Sequence, residues 1–352
     1  MYADYQLDFP NSKKKRLPTI DEYAYFLNKQ GCPDGLFIND IGAISNDPDC
    51  FVAVQTNENY FKLIPGPEFS PRLYRGQSKF YDPCYSSKFR PYSSKVEQVA
   101  DAIRKEEFNL LIKENPILID LERIKIKDLH FQTDFEGLAQ HYGFRTDYLD
   151  ATRSRNIAMF FATCTYDIER DIYKPIIADN CIGVIYTIDL FQGLTSKNKR
   201  IDVVGLQALP RPGAQKAFSI TLGEKDNFNN LAYIKFKKFT ITRELSEYYF
   251  YKFNCGKNLF PEDIVDCKAK QIQNCDSLSK DAFMLYCQKQ GIRSKKDQER
   301  IKVKLLESGI RFREQNIKFT KEELSSINDE WMGLRLKFIN KIKARFVAPS
   351  RL

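Results

Sequence analysis

Between Gln140 and Arg155 the chain gathers Gln140, His141, Arg145, Thr146, Asp147, Asp150, Thr152, Arg153 and Arg155 within sixteen residues. Asp150 could supply carboxylate chemistry. His141 is one of only two histidines. The arginines offer planar, permanently charged forks suited to phosphate or carboxylate. The apolar run Asn156 to Ala162 follows at once and reads as fully buried. Polar groups pressed against a core element must be satisfied or used. A lone Asp at a strand turn is usually a structural acceptor and a lone His a structural residue, so both readings stay open. Arg75, in Leu73-Tyr74-Arg75-Gly76, is a further candidate. It either binds an anion or makes an internal salt bridge to Asp150 or a Glu. Gly76 permits close backbone approach or a positive φ.

The elements that must position these residues follow from periodicity and caps. Leu73 to Gly76 reads as a strand end feeding a turn. Phe135 to Tyr142 reads as a helix with Gly143 as its C-cap, Tyr148-Leu149-Asp150 as extended, and Asn156 to Thr163 as a buried helix. Ser94-Lys95-Val96-Glu97 is a capping box opening a helix to about Lys113. Short strands are expected at Phe51–Val54 and Tyr60–Ile64, and clear ones at Gly183–Asp189, Lys216–Thr221 and Leu231–Ile241. Leu209 to Gln215 reads as a rigid loop, Arg243 to Phe253 and Glu262 to Gln273 as helices, and Leu118 to Leu129 as strand or helix. A helix is expected over Ile20 to Gln30. Beyond Asp276, helices are expected at Asp281–Gln290 and Lys295–Glu307. Thr320-x-x-Glu323 then caps a helix carrying Leu324, Ile327, Trp331, Leu334, Phe338 and Ile342 as an apolar stripe. That stripe packs on its own domain or pairs with a second copy, the first being the simpler solution. The chain divides into residues 1–67, a central unit over 68–275 and a basic helical region over 276–352.

Composition narrows the classes. An apolar fraction of 43% suits a globular core. No apolar run approaches the length needed to span a bilayer, and the first residues lack the order of a signal peptide. Nine cysteines without a C-x-x-C pair read as reduced thiols, and a cytoplasmic, non-membrane protein is expected. No metal is expected, because two histidines cannot build a His-rich site. The net charge is +9, and residues 276–352, with 18 Lys+Arg and 10 Asp+Glu, carry +8 of it. That bias, with the run Lys13–Arg16, suits either an acidic partner such as nucleic acid or a solvated face. There is no nucleophile elbow, P-loop, H-E-x-x-H or dinucleotide glycine fingerprint.

Four motifs in order carry a resemblance. They are Tyr74-Arg75-Gly76-Gln77; Leu138-Ala139-Gln140-His141-Tyr142-Gly143 with Thr146, Leu149-Asp150-x-Thr152, Asn156 and Ala158-x-Phe160-Phe161-Ala162; Arg211 with Ala214-Gln215-Lys216-Ala217-Phe218; and Leu259-Phe260-Pro261-Glu262. Over about residues 68 to 275 this resembles the FRG domain family, named for its aromatic-Arg-Gly motif. The chain departs from the family pattern at Ala151, Arg145, Asp147, Ile157 and the Lys216-Ala217 pair, which touches substrate detail more than fold. The resemblance implies an α+β domain, a mixed sheet flanked by helices, with a helical C-terminal extension.

By analogy between folds, the order of polar residues suits an ADP-ribosyltransferase-like, NAD-handling enzyme. Arg75, His141, Asp150 and Gln215 would be catalytic, and Gly76, Gln77, Gln140, Thr146, Thr152 and Arg211 would bind substrate. NAD is the implied cofactor. Gln215 falls where a carboxylate would be wanted, and an amide stabilises an oxocarbenium ion less well. The alternative is a non-enzymatic module that binds a nucleotide or nucleic acid through Arg75, Arg145, Arg153, Arg155 and Arg211. An effector role in microbial defence is compatible with both.

Overall fold

In a computed structural model the protein is described at residues 50–65, 72–91, 94–167, 169–178, 180–189 and 208–344, with short pieces at 5–7, 9, 15–19, 22, 192–193, 201–202 and 346. The helix expected over Ile20 to Gln30, apart from Glu22, and the first half of the Lys13–Arg16 run lie outside the described residues.

The strands are, in chain order, β1 (Tyr5–Gln6), β2 (Phe51–Gln55), β3 (Tyr60–Pro65), β4 (Arg72–Gln77), β5 (Ile124–Ile126), β6 (Leu129–Phe131), β7 (Tyr148–Thr152), β8 (Cys164–Asp167), β9 (Ile172–Pro175), β10 (Ile182–Asp189), β11 (Ile201–Asp202), β12 (Ala217–Thr221), β13 (Ile234–Thr240), β14 (Ser277–Ser279), β15 (Arg311–Arg313) and β16 (Ile342–Ala344). The helices are α1 (Lys95–Ile112), α2 (Pro116–Leu121), α3 (Phe135–His141), α4 (Arg155–Thr163), α5 (Pro210–Ala214), α6 (Arg243–Lys252), α7 (Ile264–Gln273), α8 (Lys280–Lys289), α9 (Lys295–Glu307) and α10 (Lys321–Ile339).

The fold is α+β. One six-stranded sheet, ordered β1-β5-β6-β3-β2-β16, mixes parallel and antiparallel pairs. The second, ordered β11-β12-β7-β4-β10-β13, is antiparallel throughout. One large core joins them, reaching from Leu17 through Phe51, Phe108, Leu149 and Tyr186 to Trp331 and Phe346.

Local chemistry explains the helix starts. Ser94 accepts from the Glu97 amide to open α1, Asp134 from Gly137 to open α3, and Ser154 from Ile157 to open α4. Gly143 follows α3 at φ +86°, the left-handed turn that favours glycine. Thr320 and Glu323 complete a reciprocal box at the start of α10.

Several expectations need correction. Leu73 to Gly76 does not end in a turn; β4 runs unbroken through Gln77, because β10 pairs with it over six residues. Pro210 to Ala214 is a short helix, since a proline at the first helical positions needs no amide donor. The ambiguous Leu118–Leu129 stretch is both helix and strand: α2 ends at Leu121, and β5 and β6 follow. The strand expected from Leu231 starts at Ile234, and β13 is largely exposed because it lies at the sheet edge. Ile342 is not helical; it lies in β16 opposite Phe51. The α10 stripe packs on its own chain through Ile327, Trp331 and Phe338, whereas Leu334 is 53% exposed.

Candidate functional site

The site lies where the second sheet parts. β4 and β7 are its central strands, yet they pair at Tyr74↔Thr152, against six pairs between β4 and β10. Past that pair the strands diverge, and Arg75 fills the gap. Its Nη1 donates to the Asp150 carbonyl at 2.6 Å, replacing the ladder partner a β-strand would supply. The salt bridge from Arg75 to the Asp150 carboxylate, considered from sequence, is thus a main-chain contact instead. Arg75 Nε is buried with no hydrogen-bond partner among the described residues.

Gly76 is required by packing. A Cβ built there would stand 1.7 Å from the Ala158 carbonyl oxygen on α4. The close approach is to the protein's own helix, and no positive φ is involved. α4 meets the sheet through small residues, and Ala162 makes the corresponding approach at Gly183 on β10.

A cleft of about 490 Å³ opens at this divergence. Arg75, Gly76, Gln77, Gln140, His141, Asp150, Thr152, Arg211 and Gln215 all line it, although they come from β4, α3, β7, α5 and the turn after α5. Thr146 stands behind them. Its hydroxyl donates to Gln140 Oε1 at 2.6 Å, and Ser87 Oγ donates to the same oxygen at 3.3 Å. Two hydroxyl donors on the amide oxygen turn the amide nitrogen toward Asp150, and Nε2 donates to Asp150 Oδ2 at 3.2 Å. Asp150 is half exposed, with 44% of its side chain accessible, and its Oδ1 lies 3.5 Å from His141 Nδ1. Oδ1 and His141 Nε2 have no hydrogen-bond partner among the described residues. Burial pushes the His141 pKa below its ordinary 6.5; Asp150 opposes that shift and Arg211 adds to it. The imidazole is therefore neutral at pH 7. With Nδ1–H toward Asp150, Nε2 is left as the basic atom.

Other residues in the cleft already have partners of their own. The Thr152 hydroxyl donates to the Gln215 carbonyl at 2.7 Å and accepts from the Ser154 amide. Gln215 is 8% exposed, and its amide nitrogen donates to the Leu259 carbonyl at 3.2 Å. It is the C-cap of α5 and precedes β12, so it is not a strand residue. Gln77 is buried and accepts a long contact from Cys84 Sγ. Arg211 pairs with Asp266 at 2.5 Å and lies 5.0 Å over the Phe260 ring. Burial raises the Cys164 thiol to about 11, which leaves it protonated and a poor nucleophile at neutral pH.

The five-arginine pocket expected from sequence does not assemble. Arg75 and Arg211 line the cleft, but Arg153 donates to the Cys50 carbonyl and lies over Phe51 and Phe218. Arg145 reaches the Pro91 carbonyl and Asp101, and Arg155 is exposed in the first turn of α4. Arg90, absent from the sequence-based list, lines the cleft instead. Burial lowers its pKa, and the nearby Arg75 charge lowers it further. Two guanidiniums lining one cleft favour an anion there. The aromatic wall of Phe161, Tyr166, Tyr173 and Phe260 was also missed; Tyr173 and Phe260 stack at 4.9 Å and 21°. Ser87 and Arg90 lie in or beside a short turn without periodicity, and no local signal marks them.

Among the described residues no group of three or more His, Cys, Asp or Glu could hold a metal ion, and the eight described cysteines are free thiols. No described helix is long and apolar enough to cross a membrane. Residues 70–171 match the family model of the FRG domain. That span holds β4, β7, α3 and α4, the elements that frame the cleft. The search of curated proteins and the search of solved structures returned no match.

Proposed function

Because the chain contains an FRG domain over residues 70–171, we propose that its cleft binds NAD and cleaves the bond to nicotinamide, in the manner of an ADP-ribosyltransferase. The observation that carries the reading is the set of groups around the gap between β4 and β7. Arg75 and Arg90 suit a phosphate, the aromatic wall suits a planar ring, and an oriented carboxylate lines the same cleft.

Asp150, rather than Gln215, then supplies the negative charge. As the bond from ribose C1′ to the ring nitrogen breaks, the electron pair leaves with nicotinamide and positive charge grows on the sugar. A carboxylate held by Gln140, with 44% of its side chain accessible, stabilises that charge. Water or an acceptor hydroxyl attacks C1′ and releases its proton to solvent, while buried, neutral His141 holds Asp150 in place from behind. The products are nicotinamide and an ADP-ribosylated acceptor, or ADP-ribose when water attacks. This chemistry suits an NAD-consuming effector in microbial conflict.

Purified wild type and the Arg75→Ala and Asp150→Asn variants, incubated with NAD with and without nucleic acid, test this by chromatography of released nicotinamide. Release by wild type is expected. Asp150→Asn should lower it by about 10²–10³-fold, the typical cost of one charge-stabilising group. No release and no NAD binding under any condition would sink the proposal. NAD binding without release would favour a non-enzymatic nucleotide-binding module, a reading that the buried Gln215 amide also suits.

A further inference from the structure

The cleft shares a wall with a second cavity of about 1130 Å³. Gly143, Tyr166, Tyr173, Arg211 and Phe260 line both. NAD carries two nucleotides joined through a pyrophosphate, and a cleft of about 490 Å³ sharing a wall with a cavity of about 1130 Å³ offers each half its own space. We infer that the larger cavity holds the adenosine half of the dinucleotide, with Arg211 in the shared wall as a pyrophosphate contact. This rests on the NAD reading above.

Three features of the cavity fit that half. The first is the ring surface: Tyr173 stacks on Phe260, and Tyr166, 44% exposed, lies 5.2 Å from Tyr173. Flat aromatic faces offset against a purine are a favourable packing arrangement. The second is a pair of lining carboxylates, Asp171 and Asp266, both bound by Lys270. Held carboxylates accept hydrogen bonds from ribose hydroxyls, which a free phosphate or an apolar ligand does not offer. The third is Arg211 itself. One nitrogen bonds Asp266, while Nε is buried without a hydrogen-bond partner among the described residues. A guanidinium carries five N–H donors, so the pair with Asp266 leaves capacity for an anion.

Two exposed thiols, Cys255 and Cys267, line the larger cavity and not the cleft, and they serve as reporters. Their alkylation by iodoacetamide would be followed peptide by peptide in the presence of adenosine monophosphate, nicotinamide mononucleotide or NAD. Adenosine monophosphate and NAD should each slow both thiols about tenfold at ten times the dissociation constant. Nicotinamide mononucleotide should leave them unchanged, as should every ligand at Cys275, which lies outside both cavities. Cys267→Trp, an exposed position, should raise the KM for NAD about tenfold, a loss of about 1.4 kcal/mol in binding, with kcat kept. Nicotinamide release without protection of either thiol, and with KM unchanged in Cys267→Trp, overturns the adenosine site and leaves NAD cleavage standing. Protection by adenosine monophosphate without any nicotinamide release supports the site and overturns the cleavage.

Discussion

Asp150 and Gln215 illustrate how partners, rather than residue type, decide what a polar side chain can do. Gln215 is an amide at a position where an acid would be wanted, yet restoring the acid should not help. Its Nε2 donates to the Leu259 carbonyl, and a carboxylate there would set two acceptors against each other. Gln215→Glu should therefore cost about 1–3 kcal/mol of stability, from an acceptor left without its donor, and give no gain in nicotinamide release. A urea titration beside the release assay checks both. His141 makes a pH prediction. Its folded-state pKa is lowered by burial, while the unfolded chain titrates near 6.5. Between the two values the unfolded state binds more protons, so stability rises with pH through that window and is lost as pH falls below about 6.5 toward the folded value. His141→Gln should flatten this acid limb of the stability profile.

At the scale of elements, the cleft exists because α4 can lie close to β4. Ala158 and Phe161 on that helix line the cleft, and Gly76 lets the helix in. The contact that a Cβ at residue 76 would make is to main-chain atoms, which no rotamer change relieves. Gly76→Ala should push α4 outward at a cost toward the upper end of about 1–3 kcal/mol, the usual range for overpacking. It should also raise the KM for NAD. A lowered denaturation midpoint with unchanged KM would show that α4 does not shape the cleft. Much at this scale was legible in the sequence, because caps are local. Ser94, Thr320 and Gly143 announced their helix ends through hydrogen bonds within a few residues. The unbroken β4 was not legible, because its continuity comes from pairing with β10 more than a hundred residues away.

Over the whole molecule, the basic C-terminal region is an integral part of the fold. β16 pairs in parallel with β2 at the edge of the mixed sheet, and Trp331 and Phe338 enter the same core as Phe51. Buried acids anchor it. Asp120 accepts from Trp331 Nε1 at 2.8 Å and from Arg335 Nε at 2.6 Å. Glu107, 1% exposed, is gripped by Arg313 through two bonds of 2.8 and 2.6 Å, and the Ile317 amide adds a third. Removing one partner of such a pair leaves a buried charge without compensation. Arg313→Ala should cost about 3–5 kcal/mol, read as a drop in the urea midpoint of the full chain. A loss under about 1 kcal/mol, the range of exposed pairs, would place Glu107 in water. The basic excess of residues 276–352 is therefore partly structural, since Arg313, Arg335 and Lys289 each pair with an acid.

What the sequence determined by itself is the set of features carried by short-range chemistry. These are the caps, the alternation that makes β10, the apolar run that buries one side of α4 while Asn156 stays exposed, and the motif spacing that pointed to an FRG domain and to nine of the residues lining the cleft. Tertiary structure alone decided which polar groups remain available. The Thr152 hydroxyl goes to the Gln215 carbonyl and the Gln215 amide to the Leu259 carbonyl, Arg153 leaves the site for Cys50, and Arg90 enters it from a turn with no pattern of its own. Hydrogen-bond capacity is settled by neighbours distant in the chain, and periodicity carries no information about them.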